Sequence, residues 1–313
     1  MTSWRILLTD GLEENGQALL RQSARVDDQC GITQEELLQL IKDYDAVIVH
    51  NRTRMTPAVF AAAPRLKVIG VAGAKVDFVD LPTAHQQGVT VVNAPTSTSA
   101  AVAELTLAFI LALARQITAA DTAMKTGLWT KKALRGKELN GCTLGILGMG
   151  KVGSAVAQRA GALGMRPIGY DPFLKPGDVR ERGAEPVELA DLYSHSDFIS
   201  LHLPLTPETR GMIDGQTLGH MKRGVYLICT ARGGIINETA LLGALESGQV
   251  AGAALDVYQN EPPGLNALVS HPQVIATPHI GAHTRQAQAR AAQDIAEEIL
   301  AALRGAALRW KVV

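Results

Sequence analysis

Short apolar runs without polar alternation recur through the first 97 residues, at Arg5–Thr9, Ala46–His50, Lys67–Ala72 and Thr90–Asn93. That pattern predicts strands covered on both faces. Between them, Glu35–Lys42 and Pro57–Ala62 read as helices, with Pro57 suited to a first helical turn. Strand and helix in alternation predict a parallel sheet flanked by helices. A second series predicts strands at Thr143–Leu147, Pro167–Tyr170, Asp197–Leu201, Val225–Cys229, Gly252–Val257 and Val274–Ala276. Two longer helices flank it, Thr98–Ile117 and Thr284–Arg304, the latter with Ala291, Ile295, Ile299 and Leu303 on one stripe. The expected fold is α/β with two doubly wound parallel-sheet domains. One would comprise residues 1–97 plus 284–313 and the other 98–283, with the long helices bridging them and a cleft beyond the C-terminal strand ends.

The stretch from Thr143 to Asp171 adds chemistry to the pattern. An apolar strand runs into Gly148-Met-Gly150-Lys-Val-Gly153, a helical segment follows, and a second strand ends on Asp171. Strand, glycine turn, helix, strand and carboxylate in that order are the context a dinucleotide fingerprint requires. Gly148 permits a tight turn, Gly150 lets the backbone approach a pyrophosphate, and Gly153 lets the helix pack closely. The helix N-terminus faces the anion. A carboxylate at Asp171 accepts hydrogen bonds from ribose hydroxyls and repels a 2′-phosphate, and Pro172-Phe173-Leu174 supply no arginine. The expected cofactor is therefore NAD and not NADP.

Composition narrows the setting. Lysine plus arginine equals aspartate plus glutamate, 30 against 30, so no global field steers the chain to nucleic acid or anionic lipid. Cys30, Cys142 and Cys229 show no ligand spacing, so disulfides and metal are not expected, and a reducing cytoplasm is. No signal peptide is expected, because a strand-like segment begins at Arg5. The apolar segment Ala100–Ala114 is shorter than the roughly 20 residues a membrane span needs and carries Glu104, which predicts a helix buried between domains or subunits.

Three later strands end on polar residues. Arg232 lies in a glycine-flanked turn after Val225–Cys229, Asp256 stands near the end of Gly252–Val257 with Glu261 after it, and His279 follows Val274–Ala276. Open α/β sheets bind ligands at that edge. Arginine, carboxylate and histidine suffice for hydride transfer to a 2-keto acid. The guanidinium grips the substrate carboxylate, the imidazole supplies a proton to the nascent alkoxide, and the glutamate fixes the imidazole tautomer. Cys229, with no base nearby in sequence, reads as a buried small residue.

These segments resemble the D-isomer-specific 2-hydroxyacid dehydrogenases, and among them the D-3-phosphoglycerate dehydrogenases. The similarity covers nearly the whole chain, including Val102-Ala-Glu-Leu-Thr, Glu138-Leu-Asn-Gly, Gly169-Tyr-Asp-Pro and Gly233-Gly-Ile-Ile-Asn-Glu. The resemblance implies a Rossmann NAD-binding domain inserted into a flavodoxin-like substrate domain. It implies Arg232 as carboxylate clamp, Glu261 as histidine partner and His279 as acid/base. Cofactor contacts are implied for Gly148, Gly150, Lys151, Val152, Gly153, Asp171, His202-Leu203-Pro204, Thr230-Ala231-Arg232, Asp256 and His279 through Gly281 and Ala282. Asp256 would meet the nicotinamide carboxamide. A small 2-hydroxy or 2-keto acid is the implied substrate and a homodimer the implied assembly, with no membrane or nucleic-acid partner. Some relatives carry a regulatory C-terminal domain; with the sequence ending at Val313, feedback through one is not expected.

The substrate end departs from the family. His50 and Val71 stand where arginines are expected to meet a phosphate, and Lys75 and Phe78 replace a glycine and an asparagine in the loop over the substrate carboxylate. His50, Arg52, Ala72, Gly73, Ala74, Lys75, Arg232 and His279 are the expected substrate contacts, with Lys131 a further cation. A dianionic phosphate needs several cationic donors, so the expected enzyme is phosphoglycerate-dehydrogenase-like with an altered phosphate site, acting on a D-2-hydroxy acid that these residues do not specify. Three readings stay open beside it: a hydroxypyruvate or glyoxylate reductase, a phosphite oxidoreductase using a loop lysine near position 75, and an NAD-sensing corepressor-like binding protein.

Overall fold

The computed structural model describes residues 4–50 and 52–313. The chain divides into two compact units, Met1–Thr98 with Ala282–Val313, and Ser99–Gly281.

The first unit contains β1 (Trp4–Leu8), α1 (Glu14–Arg21), β2 (Ala24–Asp28), α2 (Gln34–Leu40), β3 (Ala46–Val49), α3 (Pro57–Ala61), β4 (Val68–Val71), α4 (Leu81–Gln86) and β5 (Thr90–Asn93). The strands form a parallel sheet in the order β2-β1-β3-β4-β5, the flavodoxin order, whose direction reverses between β1 and β3. Period-two burial explains the unbroken apolar runs. Ala46 and Ile48 of β3 join one core with Ile6 and Leu8, while Val47 and Val49 join the opposite core with Leu37 and Phe60. The C-terminal helix Arg285–Leu303 covers the first of these faces through Ile295, Ala296, Ile299 and Leu300. Buried Glu298 accepts from the Arg309 and Trp310 amides at 3.0 and 3.2 Å, and Lys311 bridges antiparallel to Val92 beside β5. Strand β2 was not expected. Only Ala24 and Val26 are apolar in it, and Arg25 pairs with Asp27 along an exposed edge.

The second unit contains α5 (Ser99–Arg115), α6 (Ile117–Lys125), β6 (Thr143–Leu147), α7 (Lys151–Ala162), β7 (Arg166–Tyr170), α8 (Pro176–Glu181), β8 (Glu185–Pro186), α9 (Leu189–His195), β9 (Phe198–Leu201), α10 (Gly215–His220), β10 (Val225–Cys229), α11 (Glu238–Glu246), β11 (Val250–Leu255) and β12 (Val274–Ala276). The C-terminal helix is thus α12. The sheet is parallel in the order β12-β11-β10-β9-β6-β7-β8. This is the Rossmann order with one further strand, β12, and its direction reverses between β6 and β9.

The long helices differ from expectation in two ways. The first stops at Arg115, because Gln116 adopts the left-handed conformation (φ 51°), and α6 departs at 66°. Each long helix also finds its main packing inside one unit: α5 on α7, β10 and β11, and α12 on α1, β4 and β5. No single helix among the described residues is long and apolar enough to cross a membrane; α5 and α6 together have the composition, but α5 buries Ala103, Phe109, Ile110 and Leu113 in the core of its own unit.

Candidate active site

The turn between β6 and α7 is shaped by backbone contacts. Gly148 has φ +90° and donates its amide to Tyr170 O at 2.9 Å; a Cβ there would lie 2.7 Å from His202 O. A Cβ on Gly153 would overlap the Gly148 carbonyl, so α7 packs on the turn only because that position is glycine. Gly150, the N-cap of α7, faces open space, with nothing within 4 Å of a Cβ built on it. The first amides of α7, at Lys151 and Val152, have no acceptor within the helix and meet that space with the positive end of the helix dipole. Asp171, just past β7, accepts from the Met149 amide (2.9 Å) and the Phe173 amide (3.1 Å). Arg182 donates to Met149 O at 2.6 Å, so the peptide groups flanking this buried residue are clamped from both sides. Open backbone at Gly150, a helix N-terminus and a carboxylate at the next strand end fit a dinucleotide.

Strand β9 leads into His202-Leu203-Pro204. Burial of the His202 ring pushes its pKa down to about 4, and Nε2 lies 3.1 Å from Ser200 Oγ, so the ring is neutral at physiological pH. Strand β10 ends at Cys229 and delivers Thr230-Ala231-Arg232. The Thr230 and Thr106 hydroxyls lie 2.9 Å apart, and Thr106 donates to Val102 O, which ties this turn to α5. Arg232 Nη1 donates to Ala231 O at 2.7 Å. The next residue, Gly233, passes so close to Tyr258 O that a Cβ would overlap it. Burial pushes the Cys229 thiol up to about 11, which keeps it protonated and excludes it as a nucleophile.

Strands β11 and β12 supply the rest. His279 holds φ 55°, a left-handed conformation that costs free energy in any residue with a Cβ. Three residues, Asp256, Tyr258 and Glu261, brace the loop that carries it. Asp256, almost fully buried, accepts from Thr277 Oγ1 (2.5 Å) and the Ile280 amide (2.8 Å) on one oxygen and from the Gly281 amide (2.7 Å) on the other. The Tyr258 hydroxyl lies 3.0 Å from both Leu255 O and Thr277 O. Glu261 then links the two loops: Oε1 accepts from the Tyr258 amide at 3.1 Å and Oε2 lies 2.6 Å from His279 Nδ1. An ionised carboxylate only accepts, so Nδ1 carries the hydrogen and Nε2 is the basic nitrogen of the ring. Glu261 and His279, eighteen positions apart, are thus brought into contact, and Arg232 follows the neighbouring strand β10 at the same sheet edge. The Asp256 carboxylate, expected at the nicotinamide, accepts three bonds from the His279 loop. Tyr258 was missed, for no motif marks a tyrosine whose hydroxyl braces backbone.

In the first unit, Asp10 after β1 organises the end of β3. It accepts from the His50 amide (2.8 Å), the Thr53 amide (3.2 Å) and Thr53 Oγ1 (2.6 Å), with Arg52 at 3.2 Å. Burial opposes ionisation of Asp10, but these donors outweigh it and hold the carboxyl below its ordinary value. Arg52, expected at the substrate, also donates to Thr9 O (2.6 Å) and Ile32 O (3.0 Å). Its guanidinium therefore secures three loops of this unit. The ring of His50 packs by Gly73, whose Cβ would lie 3.5 Å from Cδ2 and Nε2. The loop Ala72-Gly73-Ala74-Lys75 is pinned at its base by the Ala94 amide on Gly73 O and by Asn93 Nδ2 on Ala74 O. Val71 is fully buried in the sheet core. No group of three or more His, Cys, Asp or Glu residues placed to hold a metal ion occurs among the described residues.

Two doubly wound sheets, a fingerprint turn and a histidine–glutamate pair at the carboxyl strand ends define the architecture of a dinucleotide-binding α/β protein. Residues 107–281 match the family model for the D-isomer specific 2-hydroxyacid dehydrogenase, NAD binding domain, and the chain belongs to that family. It is 43% identical over 305 residues to the D-3-phosphoglycerate dehydrogenase of Rattus norvegicus, an alignment covering 97% of this chain and 57% of that protein. The chain thus spans little more than half the length of such curated relatives. Among solved structures it resembles the TT0316 protein of Thermus thermophilus, with a TM-score of 0.91, 36% identity, and coverage of 99% of this chain and all of that one. A glyoxylate reductase from Paecilomyes thermophila gives a TM-score of 0.90 at 31% identity, covering 100% and 99% of the two chains.

Proposed function

We propose that this chain is an NAD-dependent oxidoreductase that interconverts a D-2-hydroxy acid and the corresponding 2-keto acid. The 2.6 Å contact between His279 Nδ1 and Glu261 Oε2, at the carboxyl edge of an NAD-binding sheet, carries the reading. Gly148, Gly150 and Gly153, the Lys151 and Val152 amides and Asp171 would hold the pyrophosphate and ribose. His202-Leu203-Pro204, Thr230-Ala231, Gly281 and Ala282 would line the remainder, with Asp256 acting through the loop it supports. When bound, the nicotinamide supplies or accepts the hydride at the substrate's second carbon. Arg232 grips the substrate carboxylate and orients the adjacent carbonyl. In reduction His279 Nε2 gives its proton to the forming alkoxide oxygen, and in oxidation the same nitrogen takes the hydroxyl proton. Glu261 stabilises the protonated imidazole and fixes its orientation.

In the first unit, His50, Ala72, Gly73, Ala74 and Lys75 would meet the substrate. With His50 and Val71 in place of arginines, the site lacks the donors that a phosphate dianion needs, which favours an acid other than 3-phosphoglycerate. Likeness to a glyoxylate reductase supports a glyoxylate or hydroxypyruvate reductase as a second reading. Assembly as a homodimer is supported by α6, which buries no residue, and by the exposed apolar side chains of Ile117, Met124, Leu128 and Trp129. Three free cysteines are compatible with a reducing cytoplasm.

The test is NADH oxidation against a panel of 2-keto acids, with chiral analysis of the product. The expected result is turnover with a D-2-hydroxy acid as product, and loss of about 3–5 kcal/mol in kcat/KM for Arg232→Ala. An L product, or wild-type turnover by Arg232→Ala, would overturn the reading.

A further inference from the structure

Ala72, at the start of the loop Ala72–Lys75, and His50 line a cavity of about 410 Å³ whose lining residues all belong to the first unit. Its walls include the small or aliphatic side chains of Leu12, Ala72, Ala287, Ala291 and Ala292. At about 30 Å³ per water, this is space for roughly a dozen waters, too much for the hydrogen or methyl group of the smallest 2-keto acids. Helices α1 and α12, which supply part of its walls, approach so closely that a Cβ on Gly16 would lie 2.5 Å from Ala292 O. The cavity is preformed and sits beside the loop read above as the substrate loop.

We infer that this cavity receives the substrate's side chain, and that the side chain is uncharged and mainly aliphatic. The inference rests on the reading of Ala72–Lys75 as the substrate loop. Charge decides the chemistry. Among the described residues, Asp10, Glu13 and Glu14 line the cavity, and no lysine or arginine does. Arg52, bonded to the lining residue Asp10, is turned to it and to Thr9 O and Ile32 O, and Arg290, next to Ala291, donates to Ser97 O. A distal phosphate or carboxylate would thus meet like charge without a cationic donor. An ammonium group would find only the exposed Glu13, because the other two carboxylates are engaged. The Asp10 oxygens are taken by His50, Thr53 and Arg52, and Glu14 pairs with Arg21 in solvent. Neutral polar groups at Gln17, Thr98 and Gln288 complete the lining, and its apolar part is aliphatic and suited to methylene groups.

The experiment measures kcat/KM for NADH-dependent reduction of a graded series: glyoxylate, pyruvate, 2-oxobutanoate, 2-oxopentanoate and 2-oxohexanoate. In each, the keto carbon gains a hydride from NADH and the oxygen a proton, giving the 2-hydroxy acid and NAD. The charged comparators are 2-oxoglutarate, 3-phosphohydroxypyruvate and 6-amino-2-oxohexanoate. The expected result is a rise of up to about fourfold for each added methylene, from ~0.8 kcal/mol per buried CH₂. All three charged acids should fall at least about tenfold below the uncharged acid of similar length. Ala291→Leu, which fills the cavity, should lower the 2-oxohexanoate to glyoxylate ratio by about tenfold. If that variant does not fold, Glu13→Lys on the wall should instead raise 2-oxoglutarate relative to 2-oxopentanoate. A flat chain-length series, or preference for any charged acid, overturns the inference while leaving the dehydrogenase reading intact. Failure of every keto acid to oxidise NADH removes both.

Discussion

The turn between β6 and α7 and the loops after β3 and β4 occupy equivalent places on two doubly wound sheets, yet they are built by opposite means. In the first, backbone does the work: Gly148 touches the His202 carbonyl, Gly153 touches Gly148, and Gly150 faces open space. In the second, side chains do it. Asp10 gathers His50, Arg52 and Thr53, and His50 packs over Gly73. A pyrophosphate, the same group in every dinucleotide, would be met by amides, and a site for it is written in glycines. A substrate side chain varies, and a site for it would be written in residues that each have ordinary structural uses elsewhere.

Substitutions in the first region should break this contrast most visibly. Gly153→Val forces a side chain onto the Gly148 carbonyl and should cost about 3 kcal/mol or more in urea unfolding. Gly150→Ala meets no protein atom and should leave stability within about 0.5 kcal/mol while weakening NADH binding measured by fluorescence. Equal destabilisation by the two would contradict the distinction between a packing glycine and a ligand-facing one. Asp171→Asn should weaken NADH binding by about 1.5–3 kcal/mol, the range for hydrogen bonds to a charged group, and narrow the preference over NADPH. Retention of full NADH affinity would remove Asp171 from the ribose site.

The smallest effect expected is on stability. His202 is neutral down to about pH 4 in the folded chain, whereas an unfolded histidine takes its proton near pH 6.5. The unfolded state therefore binds more protons between those values, and stability falls as pH drops from about 6.5 toward 4. His202→Asn should flatten that part of the urea midpoint against pH, and an unchanged slope would assign it to other groups.

How much was legible follows from the same contrast. Strands such as Thr143–Leu147 and Val225–Cys229 appear where their apolar runs lie, because buried parallel strands need unbroken apolar sequence. The edge strands β2 and β8 were invisible. One alternates with charges and the other is two residues long, so neither has the periodicity that marks a strand. The break at Gln116 has no glycine or proline to announce it. Glu261 and His279 were legible as a pair through resemblance, and their contact emerges only from the fold. Asp10 and Tyr258 were not legible, because a lone aspartate after a strand and a tyrosine near a strand end carry no spacing that distinguishes a brace from a surface group.

The central claim is that His279, held by Glu261, moves the proton while the glycine turn and Asp171 hold the nucleotide. The most direct test pairs two readings on His279→Asn: NADH affinity by fluorescence, and single-turnover NADH oxidation with the best 2-keto acid. The account predicts affinity within about threefold of wild type and oxidation slower by about 10²–10⁴-fold. Oxidation at the wild-type rate, with the nucleotide still bound, would contradict it.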